Sequence, residues 1–271
     1  MQQPPLLVPE PPWLPELLQA IAEHELLAAH QIAALTGRPP GDVASVLERL
    51  VRDRQLRVLR GATASTAYAL ALRGSRLLAE LTGREPVPVP RLRSGSMLDH
   101  EIVKNDLAVV LQLLDARGVL QLLRWETARD ALGDAVHVTR GRRAERIALV
   151  ADALAVIATP AGPTALLVEI DMGTVPVARM RTKYEGYAAW WRRGGPERRF
   201  GLRSLRVLTI AKHEVRMERL REAASEASGS DGHGLLWFAA SSALDVAAPE
   251  YLLENRFLTA APGAAPTQLI R

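Results

Sequence analysis

Three carboxylates in two apolar runs carry the chemistry that this sequence offers. In RIALVADALAVIA, Asp152 shares a strand face with Val150, Leu154 and Val156, where an ionised group is costly unless a cation or a donor meets it. In TALLVEIDMGT, Glu169 and Asp171 stand two residues apart, so both project from one strand face while Val168 and Ile170 face the core. A hairpin turning at ATPAGP would bring the three acids together near the strand ends. Such a cluster repels itself at neutral pH unless one group is protonated or a divalent cation neutralises it. Hard oxygen ligands favour Mg²⁺ or Mn²⁺, and a metal held by Asp152, Glu169 and Asp171 would activate water and stabilise a pentacovalent phosphate. Lys183, one of only three lysines, follows on a helix beside Met180, Tyr184 and Tyr187, placed to orient the water or the developing charge. The competing reading of Asp152 alone is a strand-end cap or a salt bridge to one of the many arginines.

Other chemistries are poorly represented. The chain has no GxSxG elbow, no HExxH, no GxxxxGK[ST] and no GxGxxG between a strand and a helix, and its six histidines are scattered. The absence of cysteine excludes disulfides, thiolate zinc sites and cysteine nucleophiles and fits a reducing cytoplasm. No run approaches the roughly 20 apolar residues that span a bilayer. The N-terminus, with Pro4, Pro5, Glu10, Pro11 and Pro12, does not read as a signal peptide. A cytoplasmic protein without a membrane partner is expected.

The elements that would position these groups fall into two domains. The segment 82–96, TGREPVPVPRLRSGS, has three prolines at alternate positions followed by Gly and Ser, which can neither continue a helix nor pair as an inner strand. It sets a linker at 83–96 between a domain at 13–82 and one at 97–245, with 246–271 as a C-terminal tail. Before the linker, Leu14, Leu17, Leu18 and Ile21 form one helical stripe, and Ile32 and Leu35 a second short helix ended by Gly37. A third helix opens with Asp42 as N-cap and buries Val43, Val46, Leu47 and Leu50. Two short strands at 56–59 and 68–70 and a helix at 73–81 complete the order helix, helix, helix, hairpin, helix, which is that of a winged helix-turn-helix. In such a fold the third helix enters the major groove and the hairpin tip follows the backbone, so Ser45, Arg49, Arg52 and Arg60 are placed to meet double-stranded DNA. The alternative is a protein-pairing domain whose arginines are a solvated face.

After the linker, an amphipathic helix at 98–117 carries Ile102, Leu107, Val110, Leu111 and Leu114. Strand-like runs follow at 120–125, 146–157, 164–171, 205–211 and 235–240, with helices at 176–193 and 213–227, and 225–234 reads as an exposed loop. The fold class is α/β (α+β): a mixed sheet flanked by helices behind a winged helix. Of 34 basic residues 31 are arginine, whose planar forks suit phosphates and base edges. GC-rich coding explains the same bias, so composition alone does not identify an anionic partner.

Three stretches carry a family resemblance: AYALALRGSRLLAEL, LDHEIVKNDLAVVL, and above all ADALAVI followed by LLVEIDMGTVPVARMRTKYEGYAAW. Across roughly 15–240 the chain resembles the replication-relaxation proteins of plasmids and other mobile elements of actinobacteria and related bacteria. The resemblance implies a role in replication or DNA relaxation and a C-terminal domain similar to the PD-(D/E)xK nucleases. Carried over, Asp152 matches that motif's Asp and Glu169 its second acid, while Glu101 matches an acid often found on the first helix. Ala151 stands where Pro is usual and Asp171 where the Lys of ExK would be, so Lys183 would have to act from the helix. Two outcomes stay open: a divalent-metal endonuclease, or a non-enzymatic regulator or accessory factor that kept the acids. Candidate partners besides DNA are a second copy of the chain and replication or mobilisation proteins.

Overall fold

Apolar spacing, helix stop signals and a tight hairpin build the first half of the chain. The computed structural model describes residues 10–89, 95–127, 133–140 and 143–270, and the chain divides into two compact units, Met1–Asn105 and Asp106–Arg271. Unit 1 runs α1 (Leu14–Glu23), β1 (Leu27–Ala28), α2 (Ala29–Thr36), α3 (Pro40–Arg52), β2 (Leu56–Arg60), β3 (Thr66–Leu70) and α4 (Leu72–Thr82), and it includes the first half of α5 (Ser96–Ala116). Its helices and hairpin fall in the expected order, with one small addition. The short β1 joins β3 to make an antiparallel sheet ordered β1-β3-β2.

Leu14, Leu17, Leu18 and Ile21 are all buried as the α1 stripe requires, and Gly37, at φ 62°, closes α2 in the left-handed conformation that glycine adopts at no steric cost. Helix α3 starts earlier than the sequence suggests. Pro40 takes its first position, where a missing N–H costs nothing, and Asp42 lies in the first turn instead of capping it. There it still complements the helix dipole. Of the expected buried face, Val43, Leu47 and Leu50 are buried, whereas Val46 is half-exposed.

The first half of α5 is fastened into unit 1. Leu98 and Ile102 pack with Leu26, Ala28, Ala67 and Ala69, and buried Gln31 accepts the Ala28 N–H (2.8 Å) and donates to the Ile102 carbonyl (2.9 Å). Asn105 donates to the Leu26 carbonyl at 2.7 Å. These bonds satisfy buried polar groups across more than 70 residues of sequence. The two compact units therefore divide inside α5, where the proline-rich segment 83–96 had suggested the boundary.

Unit 2 centres on a six-stranded sheet ordered β11-β10-β9-β8-β7-β4: β4 (Gln121–Thr127), β7 (Ala153–Thr159), β8 (Gly162–Asp171), β9 (Ser204–Ala211), β10 (Leu236–Ala240) and β11 (Leu258–Thr259). Strands β4, β7 and β8 pair antiparallel, and β8, β9 and β10 parallel. This is the mixed α/β layering expected. The parallel steps are made by α6 (Val177–Arg192) with the short α7 (Gly195–Phe200), and by α8 (Glu214–Gly232). One sheet face, including Leu154, Val156, Ala165, Leu167, Val207 and Phe238, packs against Met180, Tyr184 and Tyr187 of α6 and Met217 and Leu220 of α8.

Three details depart from the sequence reading. The apolar run 146–157 is two strands in two sheets: β6 (Arg143–Val150) pairs with β5 (Gly133–Arg140) as a separate ribbon, and β7 joins the main sheet. Segment 225–234 is the end of α8 through Gly232, broken at Gly229 (φ 68°, ψ 166°), with Ser228 and Gly232 buried. Residues 246–271 supply β11, and Phe257 and Leu269 are fully buried. No helix among the described residues is long and apolar enough to cross a membrane.

Candidate active site

The β7–β8 hairpin turns as expected at ATPAGP, with Thr159 opposite Gly162 and Ala153 opposite Val168. Asp152 lies just outside it, at the bend where the chain leaves the β5–β6 ribbon and enters the sheet. It does not share a strand face with Val150. Instead its backbone N–H donates to the Val168 carbonyl (2.9 Å), and its Oδ2 accepts the Ile170 N–H (2.8 Å). The carboxylate thus ends beside the C-terminal half of β8.

Glu169 and Asp171 lie on the β8 face that carries Ala165 and Leu167 and looks toward α6 and α8. Both are 3% exposed, so this face is as buried as that of Val168 and Ile170. Burial demands partners. Lys183, on α6, donates to Glu169 Oε2 at 2.6 Å and to the Val150 carbonyl at 2.7 Å, so one ammonium ties α6 both to β8 and to the end of β6 that leads into the Asp152 bend. Tyr187, one helical turn further along the same face, donates to Glu169 Oε1. Tyr184 exchanges a hydrogen bond with Thr209 (3.1 Å), which stands opposite Glu169 on β9.

Asp171 does not join this group. Arg216 of α8 grips it with a two-pronged fork, Nε to Oδ1 at 2.8 Å and Nη2 to Oδ2 at 2.9 Å, and the Gly173 N–H adds a third bond. Of the three carboxylates expected to converge, Asp152 and Glu169 lie together with Lys183 beside them, while Asp171 is drawn into an ion pair with one of the abundant arginines. Glu101 lies in unit 1, bonded to Lys104. Of the residues missed, Tyr187 had a readable signal in its i+4 spacing from Lys183. Arg216 had none, since nothing sets it apart from 30 other arginines.

Electrostatics mark Glu169 as the unusual group. Burial pushes it up to about 7; Lys183 pulls it down without cancelling that effect, and the Asp152 charge adds to the rise. Burial and the Glu169 charge push the Tyr187 hydroxyl well above its ordinary range, so it remains a donor. The site can therefore hold or release a proton at Glu169 near neutral pH, the property expected of a group used in acid–base or metal chemistry. As a cation site, the donor set offers Asp152 and Glu169. Among the described residues no three acidic or imidazole groups are arranged to hold a metal, and Asp171 is paired with Arg216.

The four residues expected to meet DNA all lie on α3 and β2. Ser45, Arg52 and Arg60 are exposed, with Ser45 Oγ donating to the Gly41 carbonyl at 3.0 Å. Arg49 is half-buried, and its Nη2 is shielded without a hydrogen-bond partner. The turn after β2 is held by Asp99 of α5, which accepts the Ala62 and Thr63 N–H groups and the Thr63 and Ser65 hydroxyls.

The family model described as Replication-relaxation matches residues 18–204, a span that takes in α3, Asp152, Glu169 and Lys183. Searches of curated proteins and of solved structures find no match.

Proposed function

This chain belongs to the replication-relaxation family, and from that premise we propose that it is a DNA-binding replication protein of a plasmid or mobile element whose unit 2 is a divalent-metal endonuclease of the PD-(D/E)xK kind. The observation that carries this reading is the approach of Lys183 to within 2.6 Å of Glu169, beside Asp152. The resemblance requires an Asp, a second acid and a Lys together, and the lysine missing from the ExK position is supplied by α6. Asp152 and Glu169 would hold Mg²⁺ or Mn²⁺, which when bound would activate water and neutralise charge on the phosphate. Protein groups do the remaining work: Tyr187 fixes the Glu169 carboxylate, Lys183 supplies a positive charge and a proton donor, and Asp152 is anchored by the Ile170 N–H.

Unit 1 supports DNA binding through its element order, which is that of a winged helix-turn-helix, with Ser45, Arg49, Arg52 and Arg60 on the α3–β2 surface. A second reading has its own support. Both Glu169 oxygens and both Asp171 oxygens are occupied by Lys183, Tyr187 and Arg216, as in an accessory factor whose acids became a structural network. Thermal shift with Mn²⁺ tests the proposal, because an ion bound only to the folded state raises the melting temperature. The wild-type chain should shift and Asp152→Asn should not. Absence of a shift in the wild type would leave the accessory-factor reading. For unit 1, Arg49→Ala with Arg52→Ala should weaken duplex binding and flatten its salt dependence.

A further inference from the structure

The turn that carries the chain from α6 through α7 into β9 takes no part in the candidate site. Its sequence from 192 to 203, RRGGPERRFGLR, holds five arginines and one acid, Glu197, and all six of these residues are exposed. Packing fixes the backbone that displays them. Gly195 lies on the ring of buried Trp190, where a Cβ would stand 2.3 Å from the indole. Trp190 Nε1 donates to Asp134 Oδ2 at 2.7 Å, and Phe200 closes α7 edge-on against the same indole, with ring centroids 6.2 Å apart.

The arginines differ in what they already hold. Arg192 is occupied: it forks onto Asp231 of α8, Nε to Oδ2 and Nη2 to Oδ1, both at 2.7 Å. Arg198 donates to the Arg193 carbonyl, a neutral acceptor that leaves its charge uncompensated. Arg203 reaches Glu197 at 3.4 Å with its side chain 90% exposed, a pairing of little energetic weight. Arg193 and Arg199 have no ion pair among the described residues. Arg193, Arg198, Arg199 and Arg203 therefore face solvent with Glu197 as the one carboxylate among them. Along α6, Arg192 is about 13 Å from Lys183 at 1.5 Å per residue, so this cluster is distinct from the candidate site.

We infer that this turn is a second nucleic-acid contact, in which Arg193, Arg198, Arg199 and Arg203 hold the phosphate backbone of duplex DNA. Charge complementarity selects the partner. Guanidinium forks meet phosphate oxygens bidentately, and a duplex presents one phosphate charge about every 1.7 Å of its axis. The turn offers no apolar anchor of the kind that carries a protein interface, because Phe200 and Leu202 are half-buried against the core. A turn packed on Trp190 also presents its charges without the cost of ordering a loose loop. The inference rests on the DNA-binding reading above but places this contact on unit 2 and not on α3.

The test uses the full chain, a fluorescein-labelled duplex and anisotropy over a salt series. Arg193→Ala, Arg199→Ala and Arg203→Ala combined, which spare the backbone bond of Arg198, should reduce the slope of log Kobs against log salt by about 2 to 3, since each lost phosphate contact removes about 0.9. The matching triple Lys variant should retain most of the slope, because charge is kept. An unchanged slope in the triple Ala variant overturns the contact, and so does a Lys variant that loses as much slope as the Ala one. Loss of binding to labelled poly-glutamate with duplex binding unchanged would assign the turn to an acidic protein and overturn it as well. The paired variant Arg49→Ala with Arg52→Ala separates the two readings. If it alone loses slope, the turn is wrong and the α3 surface stands; if only the triple Ala variant does, the reverse holds. A wild-type chain that binds no duplex at any salt overturns both.

Discussion

Replacing Glu169 by Gln should remove a pH dependence of stability that the wild-type chain shows between pH 5 and 8. Glu169 titrates at about 7 in the folded chain against an ordinary value of 4.5, so between these values the folded state holds a proton that the unfolded state has released. Stability from this group is therefore greatest below pH 4.5 and is lost as pH rises to about 7. The shift of about 2.5 units corresponds to about 3 kcal/mol in total. Glu101 is held low at about 2: burial opposes this, but His100 and Lys104 outweigh it. Its contribution is lost only as pH falls below 4.5, outside the window. Glutamine keeps the shape of the side chain and can still accept the Tyr187 hydroxyl, but it cannot titrate. Urea denaturation followed by the fluorescence of Trp190, Trp191 and Trp237 should show the wild-type free energy falling by about 2 to 3 kcal/mol from pH 5 to 8 relative to the variant. A wild-type-minus-variant difference that stays constant across that range would refute the assignment of Glu169 as the elevated acid.

Arg216→Ala should destabilise unit 2 by about 3 to 5 kcal/mol, because it strands the buried Asp171 carboxylate; Arg216→Ala combined with Asp171→Asn should recover much of that loss in the same denaturation assay. Asp99→Ala removes the acceptor for the turn after β2 and, at about 1 to 3 kcal/mol for donors left unsatisfied, should lower the melting temperature and speed amide exchange at Ala62 and Thr63. Gly186→Ala places a methyl against Ile147 and Leu149, and crowding of about 1 to 3 kcal/mol should outweigh the gain of about 1 kcal/mol in helix propensity, giving a net loss in urea midpoint.

Much of the architecture was legible because it rests on local signals. The α1 stripe, the Gly37 stop, the ATPAGP hairpin and the alternation of strands with helices in 164–240 are all written within short windows. What was illegible depends on tertiary partners. Apart from the single Asp152, nothing between Ile147 and Ile157 interrupts the apolar run, so the exchange of β6 for β7 there is visible only in which strands they pair with. The same holds for Asp171. Its spacing from Glu169 places both on one face, but whether it joins a cation site or an arginine fork is decided by Arg216, 45 residues away. The proline-rich segment looks like a domain boundary, yet Gln31 and Asn105 extend the contacts of unit 1 into α5 through side-chain amides that carry no sequence pattern. Gly229 reads as a loop residue but only breaks a helix, because Ser228 and Gly232 on either side of it are buried.

Whether Asp152, Glu169 and Lys183 form a working centre is answered directly by nicking of supercoiled plasmid. Wild-type chain incubated with Mg²⁺ or Mn²⁺ should convert supercoiled plasmid to the open circular form, and chelation should stop it. Asp152→Asn and Lys183→Met should each abolish conversion while leaving duplex binding by unit 1 intact. Conversion that persists at the wild-type rate in Asp152→Asn, or a folded, DNA-binding wild-type chain that leaves plasmid supercoiled with either metal, would contradict the endonuclease assignment.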